Sequence, residues 1–252
     1  MSNFDIMSVC NNQFVIKSLV APLYSEPTFT SSKISEAVFG EIVNVNDVNG
    51  SWVNIEQDDG YHSWIKDFYG SFEKKNAICE YIVVDKYFLP FGSRLQKTNG
   101  KYKTVIGDDY TYNIEPIKIG EIVNIDDLLI HARNLIGSPY RWGGKTSFGF
   151  DCSGFVQSLY LLTGLLLPRD CWQQSEFLEG SLVSGRNSKP GDLHFFGKDS
   201  KISHVGISTG GLNLIHCQGW VKEESFENIN SGNENLVDMY MHSCSVELNS
   251  KR

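Results

Sequence analysis

The chain lacks any long apolar run. Stretches such as Leu159 to Leu162 and Leu165 to Leu167 fall far short of the roughly 20 residues that a bilayer-spanning helix needs. It lacks a basic segment followed by an apolar one at Met1-Ser2-Asn3-Phe4-Asp5, so no secretory signal is expected. It lacks a Lys/Arg cluster: 22 basic residues stand against 30 acidic ones, for a net charge of −8. That balance speaks against nucleic acid or an anionic membrane surface as a partner, because both demand a basic face. The six cysteines (Cys10, Cys79, Cys152, Cys171, Cys217, Cys244) include no CxxC pair, which excludes a zinc knuckle or a thioredoxin-type motif. Free thiols in a reducing compartment, and hence a cytoplasmic location, are the expectation.

What is present divides the chain. Apolar residues make up 41 %, enough for ordinary cores. Residues 1–71 read as β throughout, with strand-like runs at Phe14-Val15-Ile16, Ile42 to Val45, Trp52 to Ile55 and Ser63-Trp64-Ile65. Asn49-Gly50 and Asp59-Gly60 supply hairpin turns between them, and short strands at this spacing predict a small barrel. Residues 72–123 are a weaker echo: a strand at Tyr81 to Val84, a turn at Asn99-Gly100, and Gly120-Glu121-Ile122-Val123 repeating Gly40-Glu41-Ile42-Val43. From 124 to 252 the grammar changes. Leu128, Leu129, Ala132, Leu135 and Ile136 share a helix face, with Asp126 as its expected cap and Gly137 and Pro139 as its stop. A second helix from Ser153 to about Thr163 is apolar on most sides. Strands follow at Asp192 to Phe196, His204 to Ser208, Leu212 to Cys217 and Met239 to Leu248. Helices first and an antiparallel sheet after is an α+β layout.

The chemistry concentrates at Asp151-Cys152-Ser153-Gly154, where a loop turns into a helix. Unpaired N–H groups and the helix dipole there favour a thiolate and offer an oxyanion site. A thiolate nucleophile wants an imidazole. His204 and His216 lie in neighbouring strand-like runs, and strand alternation turns Cys217 away from His216. On this reading Cys152 is the nucleophile, His204 its base, and His216 the group that orients the base. Two other readings use the same residues: a metal site made of Cys152, His204 and His216, and a thiol acyltransferase or amidase. Cys10, Cys79, Cys217 and Cys244 read as inert core residues, Asp151 as a helix N-cap, and Trp142 as packing.

Residues 126 to about 220 resemble the NlpC/P60 family of papain-like cysteine peptidases. The blocks that carry the resemblance are Pro139 to Gly144, Gly149 to Phe155, Leu167 to Asp170, Lys189 to Leu193, His204 to Ile207 and Leu214 to His216. Gly50 to Val53 and Asp59 to Ile65 resemble a bacterial SH3 (SH3b) domain. Together they are similar to γ-D-glutamyl-L-diamino-acid endopeptidases. The resemblance implies an SH3b barrel (1–71), a degenerate SH3-like segment (72–123) and a catalytic domain (124–252). It implies hydrolysis of the γ-D-glutamyl bond to diaminopimelate or Lys in murein peptides, in cell-wall recycling, with no cofactor and no metal. It implies that Asp151 pairs with the free amine of an N-terminal L-Ala, with Ser153 and Tyr61 as further substrate contacts and Glu36 as an additional one. A non-catalytic wall-peptide binder is the competing outcome. Cys171 departs from the family pattern, standing where relatives often carry Ser or Ala.

Overall fold

The computed structural model describes residues 12–74, 78–85, 88–227 and 234–248. Cys10 and the N-terminal pentapeptide lie outside them. The described residues form two compact units: one runs to Ile119 and takes in Lys145–Ser147, and the other begins at Gly120.

In the first unit, β1 (Asn12–Ile16), β2 (Val20–Tyr24), β3 (Lys33–Val38), β4 (Ile42–Asn49), β5 (Trp52–Glu56), β6 (His62–Lys66) and β7 (Gly70–Lys74) make one antiparallel sheet. Its order is β3-β2-β6-β5-β4-β1-β7. The expected turns at Asn49-Gly50 and Asp59-Gly60 join β4 to β5 and β5 to β6. Alternate residues of these strands, Phe14, Ile16, Val43, Val45, Val53, Ile55 and Ile65 among them, fill one core. A second sheet, of order β10-β9-β8-β11, comprises β8 (Tyr81–Ile82), β9 (Arg94–Thr98), β10 (Lys101–Lys103) and β11 (Ile117–Lys118). Asn99 and Gly100 both have positive φ, 52° and 78°, as a two-residue type I′ hairpin requires. Its core gathers Val83, Leu95, Tyr102 and Tyr110 with Phe39 from the turn after β3. The strand expected over Tyr81 to Val84 stops at Ile82.

The second unit opens with α1 (Ile125–Asn134). Its cap is Asn124, whose side chain accepts the Asp126 N–H at 2.9 Å, and not Asp126 as expected. Of the expected face, Leu128, Leu129, Ala132 and the C-cap Leu135 are buried, and Ile136, beyond the cap, is exposed. The short β12 (Lys145–Thr146) belongs to the first unit, and β13 (Gly149–Phe150) to the second. Next comes α2 (Cys152–Tyr160), buried along its whole length, which continues as a 3-10 turn to Thr163 and stops at Gly164 in the left-handed region. Each large apolar side chain it buries, such as Phe155 or Leu159, contributes roughly 1.5–3 kcal/mol. Pattern reading missed α3 (Cys171–Phe177), a helix too short to show a period, although Asp170 and Gln173 form its capping box.

The antiparallel sheet of this unit has the order β14-β19-β15-β16-β17-β18. Its strands are β14 (Leu182–Val183), β15 (Leu193–Lys198), β16 (Lys201–Gly210), β17 (Asn213–Gln218), β18 (Trp220–Ser225) and β19 (Tyr240–Cys244), with α4 (Glu234–Met239) before the last. Both α2 and α3 pack against β16. Pattern reading also missed β18. It is the last strand of the sheet, reading Trp-Val-Lys-Glu-Glu-Ser, and its charged residues interrupt the apolar pattern that marks a strand. No helix among the described residues is long and apolar enough to cross a membrane.

Candidate active site

Cys152 is the first residue of α2, and the N–H groups of that turn have no partner within the helix. Asp151 caps it. Its Oδ1 accepts the Gly154 N–H at 2.7 Å, and its Oδ2 accepts the Gly143 N–H at 2.9 Å. The helix start presses on the preceding loop so closely that a Cβ at Gly154 would stand 2.1 Å from the Gly144 carbonyl oxygen. The motif therefore needs glycine there for room.

The cap is also half of a buried ion pair. Arg169, 1 % exposed, donates from Nη2 to Asp151 Oδ2 at 2.6 Å and from Nη1 to Asp151 Oδ1 at 3.1 Å. The same Nη1 donates to Ser153 Oγ at 3.0 Å. Asp151 and Ser153 are thus committed to Arg169 before any substrate arrives. Arg169 stands in the Leu167 to Asp170 block, where the sequence alone assigns it no role. A lone Arg before a helix shows nothing of its burial.

The sheet brings the two histidines together. His204 on β16 and His216 on β17 lie side by side, with His204 Nε2 2.7 Å from His216 Nδ1. His216 is fully buried and His204 is 7 % exposed. Beyond them, His216 Nε2 lies 2.7 Å from Oε1 of Glu224 on β18, a residue that pattern reading passed over. The register pairs His216 with Lys222 and Leu214 with Glu224, so Glu224 is the diagonal cross-strand neighbour of His216. Cys217 turns away and donates from sulfur to the Phe150 carbonyl at 3.2 Å. Two ring nitrogens this close share a proton. Ligands of one tetrahedral zinc ion would stand about 3.3 Å apart, so the pair does not suit the metal reading.

The sulfur of Cys152 meets two groups, His204 and the thiol of Cys171 at the start of α3. The thiol–thiol contact is the largest influence on both cysteines: it lowers Cys171 and, with burial, raises Cys152. His204 acts in the opposite sense on Cys152, through its charge and a hydrogen bond, and favours the anion there. Tyr140 lines the same region, its phenol raised first by burial and next by the charge of Cys152. Burial pushes Cys217 up to about 12 and Cys244 and Cys79 up to about 11, so these three thiols are protonated at neutral pH.

The structure therefore gathers Cys152, Asp151, Ser153, His204 and His216 in the second unit. Tyr61 lies in the first unit, half-buried, its N–H bonded to Asp59 Oδ1 at 3.0 Å. Glu36, also in the first unit, is buried and paired with Lys33 at 2.5 Å. Trp142 is 68 % exposed, so it is a loop aromatic and not core packing. His194 is a core residue. Its Nδ1 lies 2.7 Å from Ser243 Oγ, and burial holds it down at about 4.

Residues 137–241 match the model of the NlpC/P60 family. The chain is 28 % identical over 212 residues to a protein named gamma-D-glutamyl-L-lysine dipeptidyl-peptidase from Bacillus subtilis, covering 72 % of this chain and 71 % of that relative. A protein of the same name from Bacillus cereus is 39 % identical over 94 residues, 36 % of this chain and 28 % of the relative. A probable endopeptidase p60 from Listeria innocua is 40 % identical over 91 residues, 36 % of this chain and 19 % of the relative. Among solved structures, an NlpC/P60 family protein from Bacillus cereus matches with a TM-score of 0.70 at 20 % identity, covering 92 % of this chain and 99 % of that one. An NlpC/P60 endopeptidase from Photobacterium damselae subsp. piscicida matches with a TM-score of 0.67 at 16 % identity, covering 95 % and 72 %. At these identities the two structures speak to fold alone.

Proposed function

We propose that this chain, which carries an NlpC/P60 domain, is a cysteine peptidase that hydrolyses the γ-D-glutamyl–diamino-acid bond of murein peptides bearing a free N-terminal L-Ala. One observation carries the reading: a thiol at a helix mouth meets an imidazole that is itself held by a second imidazole. The relatives named as γ-D-glutamyl-L-lysine dipeptidyl-peptidases support the bond type.

The chemistry follows from the groups present. Cys152 gives its proton to His204, and the sulfur attacks the γ-carbonyl carbon. The oxygen that becomes negative takes hydrogen bonds from N–H groups of the first turn of α2. His204 then returns the proton to the leaving amine, and a thioester remains on Cys152. Water, deprotonated by His204, hydrolyses it and frees the dipeptide. His216 holds the ring of His204 through both steps.

Asp151, Ser153 and Tyr61 are the proposed substrate contacts. For Asp151 this is a second duty, because a substrate ammonium has to share its carboxylate with Arg169. The first unit is proposed to supply an SH3b module over residues 1–71 and a degenerate one over 72–123, and the biological role to be recycling of wall peptides in the cytoplasm.

Cys152→Ala is expected to abolish release of the diamino acid from L-Ala-γ-D-Glu-diaminopimelate and from its Lys counterpart. Turnover that survives this substitution ends the proposal. The free tripeptide should be cleaved far faster than its N-acetylated form or intact murein, and Tyr61→Phe should raise KM. Equal rates on free and acetylated peptide would remove the amine-binding role of Asp151.

A further inference from the structure

The histidine pair does not end at His216. Glu224, carried by the edge strand β18, places Oε1 2.7 Å from His216 Nε2. We infer that Glu224 is a positioning residue for the reaction at Cys152: it sets the direction of every hydrogen bond between the sheet edge and the sulfur. The inference rests on the reading of Cys152 as nucleophile and deepens it.

Donors and acceptors fix the order of the hydrogens along the chain of rings. An ionised carboxylate only accepts, so the hydrogen of its bond to His216 sits on His216 Nε2. A neutral His216 then has a bare Nδ1, which accepts from His204 Nε2 at 2.7 Å. With its Nε2 hydrogen fixed there, His204 presents Nδ1 as the nitrogen left for Cys152. That nitrogen is bare while the ring is neutral and so is free to take the thiol proton. When the proton moves, Cys152 becomes a thiolate and His204 an imidazolium, and no other bond changes. Remove the carboxylate and the order is no longer imposed. His216 with its hydrogen on Nδ1 would force His204 to carry its own on the nitrogen facing sulfur, where it cannot act as base. The carboxylate of Glu224 thus stands two rings from the nitrogen that receives the thiol proton.

Other charges face this chain. Lys222 Nζ lies 3.2 Å from the same Glu224 oxygen and opposes the effect. At the sulfur end stand the Cys171 thiol, Tyr140, and the Asp151–Arg169 pair, which is neutral in sum. Phe196 covers His204 with its ring centroid 5.8 Å away and adds no charge. Glu224 is therefore the one acid hydrogen-bonded to the histidine pair among the described residues.

A plain structural reading makes Glu224 only the salt-bridge partner of Lys222. The test separates the two. The rate of Cys152 alkylation by iodoacetamide is measured on the full chain from pH 5 to 9, by peptide mass mapping, for wild type, Glu224→Gln, Glu224→Asp and Lys222→Met. Tripeptide turnover is measured alongside. Glu224→Gln is expected to slow alkylation at pH 7 about tenfold and to move its rise about one pH unit upward, that factor being one pKa unit. Glu224→Asp should recover part of the loss, and Lys222→Met should show no loss. A folded Glu224→Gln with the wild-type profile overturns the inference, as does an equal loss in Glu224→Gln and Lys222→Met. If Glu224→Gln does not fold, Glu224→Asp must still lie between wild type and a His216→Ala reference, and an Asp profile identical to wild type overturns the inference. Should wild type alkylate as expected yet cleave no tripeptide, the substrate reading fails and this one stands.

Discussion

The same four residues occur twice, as Gly40-Glu41-Ile42-Val43 and as Gly120-Glu121-Ile122-Val123, and the two copies begin alike. Each glycine follows a strand by two residues and takes nearly the same left-handed φ, 79° and 78°. Each donates its N–H to a distant carbonyl, Gly40 to Ile16 at 2.9 Å and Gly120 to Leu162 at 3.1 Å. There the likeness stops. Glu41 is buried just before β4 and Val43 is buried within it, whereas Glu121 and Val123 are exposed and lead to the cap of α1. The residues that follow decide it. Asn44-Val45-Asn46-Asp47-Val48 keeps a period near two. Asn124-Ile125-Asp126-Asp127-Leu128-Leu129 supplies a cap and then a helical face. A turn is a local property, but burial belongs to the surroundings.

The widest gap between the copies should be at the glutamates. Glu41 accepts the Val38 N–H at 2.9 Å and the Gln57 side-chain N–H at 2.8 Å, and it lies 3.8 Å from Arg94 and 3.9 Å from Lys145. Glu41→Gln leaves Lys145 without this partner while Arg94 keeps Asp58 at 2.8 Å. A loss of about 3 kcal/mol is expected, at the low end for a broken buried pair. Glu121→Gln, at the surface, should change stability by less than about 0.5 kcal/mol. Urea unfolding of both variants checks this, and equal losses would dissolve the contrast. The pH dependence has a definite sign. Burial raises Glu41, but Lys145, Arg94 and the two hydrogen bonds outweigh it, and the carboxyl stays below its ordinary 4.5. Its contribution is thus complete above pH 4.5 and is lost as pH falls through the lower folded value. Stability of the wild type should fall more steeply below pH 4.5 than that of Glu41→Gln.

That contrast also marks what pattern reading reaches. The turns at Asn49-Gly50 and Asn99-Gly100 were legible because their conformations are written in two residues. Cys152, His204 and His216 were legible as a set because each stands in its own short block, and the fold brings them into one cluster. Glu224 was not, for two reasons. It sits on an edge strand whose charges hide the alternation, and its meeting with His216 depends on register, which one residue of slip would undo. The Asp151–Arg169 pair was hidden likewise: 18 residues separate the partners, and nothing local to Arg169 announces that it is buried. The expected cap Asp126 lost to Asn124 by two positions, a choice between two good caps that local sequence leaves open.

The smallest effect is at the glycines, and it isolates what is common to the copies from what is not. Alanine at either position must adopt the left-handed region, at a cost of about 1 kcal/mol that the two sites share. At Gly120 little else opposes it, since the nearest atom to an added Cβ would be Gly164 Cα at 3.7 Å, an ordinary contact. At Gly40 the Cβ would lie 2.1 Å from the Arg94 carbonyl oxygen and 2.9 Å from its carbon, and both are backbone atoms. Relief requires β9 to move away from the turn, against the Arg94 N–H that donates to the Phe39 carbonyl at 2.7 Å. Gly40→Ala should therefore lose about 1 kcal/mol more than Gly120→Ala, the cost of distorting one close backbone contact. Urea midpoints of the two variants give the difference directly. If they lose the same amount, the close approach of β9 is not what sets the two turns apart, and their divergence begins only at the glutamate.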